Sequence, residues 1–345
     1  MSKKLGILKS EKFFLHKFNG NKFERPERIK RIYEYIDEKK QDFIFVEPEE
    51  ILDEDLNSVH SKFYTEQIKQ YSNSKKNFNY DKDTYINEYT YKTAKLAAGG
   101  CIKIADAIMN EEFDRGFALV RPPGHHAEAG RAMGFCIFNN IAITALNLVK
   151  KYGLERVLII DFDAHHANGT QEILYENGKI LKVSIHENDI FPNSGKTTET
   201  GSGNGAGYNV NIPVHAYFGD EEYSYIFGKI IQQIVDNYLP QIILVAAGFD
   251  GHKDDTSSKL NLTENGFENI TMFLTFLADK YCDGKLMYIL EGGYNIDALT
   301  SCLIATIETL KISSKTPPGF MHSKRASKII EKELPALLKS KWGIY

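Results

Sequence analysis

Five short runs of β-branched and large apolar residues recur along the chain, at 117–120, 157–160, 180–185, 242–246 and 286–290. They are mostly apolar rather than alternating, which is the pattern of strands buried on both faces. Beside them lie stretches whose apolar positions return at helical spacing, at 91–109, 141–152, 223–238 and 265–280. Buried strands alternating with amphipathic helices predict an α/β fold with a mostly parallel central sheet and helices on both faces. The polar segments KKNFNYDKDTYIN at 75–87 and GKTTETGSGNGAG at 195–207 are expected to be surface loops. No repeat period or Pro/Ser-rich linker divides the chain. A single domain over 1–345 is expected, with its core at about 20–312 and a C-terminal extension, 313–345, forming a surface helix or an assembly contact.

The residues that follow each strand add chemistry to this outline. RPPGHHA comes after the first run, DFDAHH after the second, and His186 with a PNSG turn after the third. AGFD closes the fourth run and EGGY the fifth. Open α/β sheets bind ligands at the C-terminal ends of their strands, so an active site is expected there. Asp161, Asp163 and His165 fall at alternate positions as the second run ends, and an extended backbone would point all three to one side. Asp250, at the end of another apolar run, is the best candidate for a third metal ligand. Two carboxylates and one imidazole suit zinc with an open coordination position, and iron(II) or cobalt fit the same set. Any one Asp at a strand end is commonly a turn former or helix cap. So many ionisable groups directly after a core strand are hard to satisfy without a metal.

Composition narrows the classes. Hydrophobic residues at 42% and charged residues at 26% mark an ordinary globular chain rather than a disordered one. A net charge of -4 argues against a broadly basic nucleic-acid surface, although Lys3, Lys4, Lys9, Lys12 and Lys17 make the N-terminus locally positive. Cys101, Cys136, Cys282 and Cys302 are scattered without C-x-x-C spacing, so neither a disulfide framework nor a structural zinc knuckle is expected. No stretch reaches the roughly 18 apolar residues of a membrane span. The expectation is a cytoplasmic protein with no membrane or direct nucleic-acid partner.

Taken together, RPPGHHA at 121–127, MGFCIFNN at 133–140, DFDAHHANGT at 161–170, AGFD at 247–250 and EGGY at 291–294 resemble the zinc-dependent histone deacetylase family, which includes the acetylpolyamine amidohydrolases. The resemblance runs from ERPERI at 24–29 to about residue 310. It implies an arginase/deacetylase-like fold and one catalytic zinc held by Asp163, His165 and Asp250. It makes His125 and His126 a tandem pair, His126 as base and acid and His125 as a charged neighbour. Tyr294 would donate a hydrogen bond to the tetrahedral oxyanion. Asp161 would orient His125, and Asn168 would partner His126, with asparagine there similar to the class II type.

A structural potassium would lie among carbonyls of Asp161, Asp163, His165 and Ile185 with Ser184. Gly134, Phe135, Phe191 and Gly293 would line a narrow acyl tunnel. Ser257 falls where many relatives carry an apolar wall residue and polyamine-specific ones a glutamate; Asp254 and Asp255 lie nearby. Asp81 and Asp83 are candidates for a rim carboxylate. His166, His186, His215 and His252 are expected to be structural, as is His60 in VHSKFY. The implied substrate is an acetylated lysine of a protein or peptide, or an acetylated small amine such as a polyamine. A binuclear manganese ureohydrolase and a non-catalytic acetyl-ligand module are the alternatives.

Overall fold

The computed structural model describes residues 5–18, 20 and 23–344; Lys3 and Lys4 of the expected basic N-terminus lie outside them. Its strands are β1 (Leu5–Leu8), β2 (Phe43–Val46), β3 (Phe78–Asn79), β4 (Tyr85–Ile86), β5 (Arg115–Ala118), β6 (Val157–Asp161), β7 (Ile180–Glu187), β8 (Asn209–Val214), β9 (Ile242–Ala247) and β10 (Leu286–Leu290). Eight of them form one sheet in the order β2-β1-β5-β10-β9-β6-β7-β8, and every neighbouring pair is parallel. Parallel pairing requires crossover connections, and the helices supply them. Thr90–Met109 and Asn140–Tyr152 pack together against one face of the sheet. Glu264–Tyr281, Ile296–Leu310 and Glu27–Glu38 form the layer on the other. With both faces covered, β6, β9 and β10 are buried at every position, which is why they read as continuous apolar runs.

This strand order builds the site. The chain leaves β5, crosses to β6, and returns late to insert β9 and β10 between them. The segments after β5, β6, β9 and β10 are far apart in sequence yet emerge from four adjacent strands.

Several expectations are corrected. β1, β2 and β8 carry no long apolar run: β1 and β2 are four residues each, and β8 alternates Asn209 and Asn211 with Val210 and Ile212 before Pro213. Proline and alternation fit the edge position β8 holds. The stretch 75–87 is not purely loop, because β3 and β4 pair antiparallel within it and bury Tyr85 and Ile86. The helix expected at 223–238 is Asp220–Ile226 and Gln232–Tyr238 joined by a widened turn at Phe227–Ile231. The C-terminal segment is no mere surface extension: Leu334, Leu338, Trp342 and Ile344 join the main core, and Trp342 Nε1 donates to Gly207 O at 2.8 Å. With β1 at one end and Ile344 at the other, the folded unit is wider than 20–312.

Candidate active site

β6 stops at Asp161, and the chain then turns on its own carboxylates. Asp163 N donates to Asp161 Oδ1 at 3.1 Å, and His165 N donates to Asp163 Oδ1 at 2.9 Å. The expected extended ladder is therefore replaced by turns, and the three side chains separate into two tasks. Asp161 reaches His125, with Oδ2 3.1 Å from Nδ1. Asp163 and His165 instead gather with Asp250. His165 Nδ1 lies 2.8 Å from Asp250 Oδ2 and 3.2 Å from Asp163 Oδ1. One ligand atom from each of these residues lies within 4.8 Å of the others.

Main-chain donors hold the two carboxylates in place: Gly292 N on Asp163 Oδ2 and Ala164 N on Asp250 Oδ1, both at 2.9 Å. A side chain at Gly292 would put its Cβ 2.5 Å from Asp163 Oδ2, so glycine is needed for this approach. Both carboxylates are buried, and burial together with Asp163 pushes Asp250 above the usual carboxylate range. Burial opposes a charge on His165, yet Asp250 and Asp163 outweigh it and raise its pKa. Two desolvated carboxylates around one imidazole leave a strong demand for positive charge, and a divalent cation answers it. The donor set fits zinc.

Beside this cluster stand His125 and His126, with ring centroids 4.0 Å apart. Their main chain is fixed by Glu291, whose Oε2 accepts Gly124 N at 2.7 Å and His125 N at 3.1 Å. Burial opposes protonation of His125, but Asp163, Asp161 and Glu291 overcome it and push the pKa up to about 10. His126 goes the other way, because burial and the neighbouring His125 and His165 all disfavour its charge. Its Nδ1 lies 2.8 Å from Asn168 Oδ1. One ring is thus kept charged and the other neutral, the arrangement that separates an electrostatic role from a base. Among the described residues a second group of potential ligands exists, His125, Cys136 and Glu291, but it shares no member with the first. A binuclear site would need ligands shared between its two ions, and no residue belongs to both groups.

Tyr294 follows the Gly292–Gly293 turn, and Gly293 adopts φ +114°. Arg28 donates to the carbonyls of Gly293 (2.6 Å) and Glu291 (2.5 Å), and its guanidinium lies 5.0 Å from the Tyr294 ring centroid. Arg28 in turn meets Glu24, which also takes Arg121 in a two-pronged ion pair beneath the site. Burial alone would raise Glu24, but Arg121 and Arg28 hold it at about 2.

A cavity of about 170 Å³ opens onto these groups, lined by Phe23, Asp83, His126, Gly134, Phe135, His165, Phe191, Ser257 and Tyr294. Phe135 and Phe191 supply aromatic walls, 5.5 Å from Tyr294 and 5.1 Å from His126 between ring centroids. Gly134 sits at φ +53°, and a Cβ there would fall 2.6 Å from the His126 ring.

The structure brings the expected catalytic and metal residues together and sorts the remainder. Asp83 lines the cavity, whereas Asp81 is turned into its own loop, accepting Asp83 N and Thr84 N. Ser257 lines it too, while Asp255 points inward to Ser257, Tyr294 N and Asn295 N. His166 bonds Ser194 and Gln171, His186 bonds Gly195 O, and His215 is exposed on a loop. His252 is buried between Asp254 and Glu264. Ser184 pairs with Asp161 in register, and its Oγ lies 3.0 Å from His186 Nδ1. Lys182, two residues earlier, is buried against His166 and Asn211, and burial pushes its pKa down to about 7 against the pull of Asp161.

Sequence reasoning missed Glu24, Arg28, Arg121, Glu128 and Glu291, and it placed Asp255 near the rim rather than under Tyr294. Most sit inside the quoted motifs as charged residues left without a role, and that was the available signal.

The Histone deacetylase domain model matches residues 22–310. A probable deacetylase of Archaeoglobus fulgidus is 38% identical over 299 residues, covering 85% of this chain and 82% of that protein. A histone deacetylase-like amidohydrolase of Pseudomonas aeruginosa is 35% identical over 259 residues, 75% of this chain and 68% of its own. Histone deacetylase 15 of Arabidopsis thaliana is 38% identical over 265 residues, 76% of this chain, though the chain spans only 47% of that plant protein's length. The crystal structure of the HDA15 HD domain superposes with a TM-score of 0.90 at 32% identity, covering 99% of this chain and 96% of the other. With the motifs, the parallel sheet and the site geometry in agreement with these relatives, the chain belongs to the histone deacetylase family of deacetylases and amidohydrolases.

Proposed function

We propose that this protein is a zinc-dependent deacetylase that hydrolyses the N-acetyl amide of a lysine side chain. The observation that carries the reading is the gathering of Asp163 and Asp250 around His165, which with His126 and Tyr294 lines one aromatic-walled cavity. Zinc held by those three residues would polarise the amide carbonyl and acidify a water. His126 presents its remaining ring nitrogen to the cavity, takes the proton of the attacking water and passes it to the departing amine. Tyr294 donates its hydroxyl proton in a hydrogen bond to the carbonyl oxygen as negative charge develops there. His125, paired with Asp161, supplies fixed positive charge alongside. A structural potassium near Ser184 and Asp161 is part of the same proposal.

The substrate preference rests on the walls. Phe135 and Phe191 suit an extended methylene chain. Ser257 leaves the wall neutral, and Asp255 is committed to main-chain N–H groups, so no carboxylate stands at that point to receive a second ammonium. Asp83 at the mouth favours a peptide main chain offering N–H donors, and it is also the one feature that favours a cationic polyamine. Turnover of an acetyl-lysine peptide and an acetylpolyamine by the zinc-loaded protein, side by side, tests the reading. Faster peptide cleavage is expected. Preferential polyamine cleavage moves the assignment to that class, and cleavage of neither removes it.

A further inference from the structure

An asparagine side chain has an accepting end and a donating end. Asn168 alone therefore does not decide which face His126 sees, whereas an aspartate would accept from either oxygen. The choice matters because it sets the tautomer of the ring. With Oδ1 toward His126, the neutral imidazole carries its proton on Nδ1 and leaves Nε2 as the basic nitrogen. With Nδ2 toward it, the proton moves to Nε2 and the base is lost.

The far side of Asn168 holds the answer. Its Nδ2 donates to Glu128 Oε1 at 2.9 Å and lies 3.4 Å from Met133 Sδ, both acceptors. Glu128 is fixed by Arg131, whose Nε donates to Oε2 at 2.7 Å and Nη2 to Oε1 at 3.0 Å. Its main chain is fixed too, Glu128 N donating to Arg131 O and His60 Nδ1 to Glu128 O. A flipped Asn168 would set its amide oxygen against the Glu128 carboxylate, two acceptors with no proton between them. Glu128 does not line the substrate cavity. It lies with Asn168, Arg131 and Met133 in a separate cleft of about 440 Å³.

We propose that Glu128 is a positioning residue that fixes the tautomer of His126 through the Asn168 carboxamide. The neutral asparagine and the carboxylate one step behind it together do what a single aspartate would do directly. The role in turnover rests on the deacetylase reading above, but the tautomer itself does not.

The test uses the full chain with 15N-labelled histidine, metal-free and Zn(II)-loaded, and reads the ring nitrogens by long-range 1H–15N NMR, with the His126 signals assigned from a His126→Gln variant. Wild type is expected to show His126 protonated on Nδ1. Glu128→Leu is expected to mix or invert the tautomer and to lower kcat about 10-fold or more, with KM little changed. Glu128→Gln, which still offers an accepting oxygen, is expected to restore both. Asn168→Asp alone sets two carboxylates face to face, and adding Glu128→Gln is expected to recover kcat about 10-fold over that single change. An unchanged Nδ1-protonated His126 in Glu128→Leu overturns the proposal, as does additive behaviour of the Asn168→Asp and Glu128→Gln changes. If wild type deacetylates nothing, the catalytic reading fails while the NMR comparison still decides the role of Glu128.

Discussion

Asp255 accepts the main-chain N–H of Tyr294 at 2.6 Å, and with its other oxygen it takes the hydroxyl of Ser257 at 2.7 Å. One carboxylate thus ties Tyr294 to the wall of the cavity. Asp255→Ala leaves Tyr294 N and Asn295 N without their acceptor, at roughly 1–3 kcal/mol for each buried donor. The expected outcome is a kcat lowered about 10- to 100-fold with metal stoichiometry unchanged. Steady-state kinetics with metal analysis checks it, and an unaltered kcat would show that Tyr294 is placed by other contacts.

In the proposed mechanism Tyr294 acts only as charge builds on the carbonyl oxygen. Tyr294→Phe is expected to lower kcat about 100- to 1000-fold while leaving KM within a few-fold, because the lost hydrogen bond belongs to the transition state. Retention of near-normal turnover would assign oxyanion stabilisation elsewhere.

Beneath the site, Glu24 is the hub between Arg121 and Arg28, all three side chains being fully buried. Glu24→Ala strands two desolvated guanidinium groups, and a loss of about 3–5 kcal/mol is expected in urea unfolding. A loss below about 1 kcal/mol would mean that water or a rearranged partner takes the place of the carboxylate.

His60 gives the fold a pH dependence away from the Asp163, His165 and Asp250 cluster. It is buried, Nε2 accepts Asn139 N at 2.9 Å, and burial pushes its pKa down to about 4 from 6.5. Below pH 6.5 the unfolded chain takes up a proton that the folded chain refuses, so stability falls as pH drops toward 4. The contribution lost between pH 7.5 and 5.5 is about 1 kcal/mol. Urea unfolding of wild type and His60→Gln at both pH values measures it. A smaller pH difference in the variant is expected, and an equal difference would place the titration on other groups.

Much of this was legible beforehand where local pattern carries the information. β6, β9 and β10 are buried on both faces and so announce themselves as apolar runs. Edge strand β8, alternating and proline-bearing, does not. The candidate ligands and the tandem histidines lie in short motifs, and parallel strands emerging side by side made their convergence readable. What one motif does to another was hidden, because it depends on which strands are neighbours. Arg28 reaches Gly293 across 265 positions, and Asn168 reaches Glu128 across 40, separations at which spacing says nothing. The choice between Asp81 and Asp83 likewise turned on a local turn that captures the first and frees the second.

The central claim is that the Asp163, His165 and Asp250 cluster holds the zinc that this protein needs for deacetylation. Titration of chelator-treated protein with Zn(II), while acetate release from an acetyl-lysine peptide is followed, tests it most directly. Activity is expected to rise from near zero and saturate at one Zn(II) per chain, with Asp250→Ala remaining inactive across the same range. Full turnover by the metal-free protein, or saturation only at two metals per chain, would contradict it.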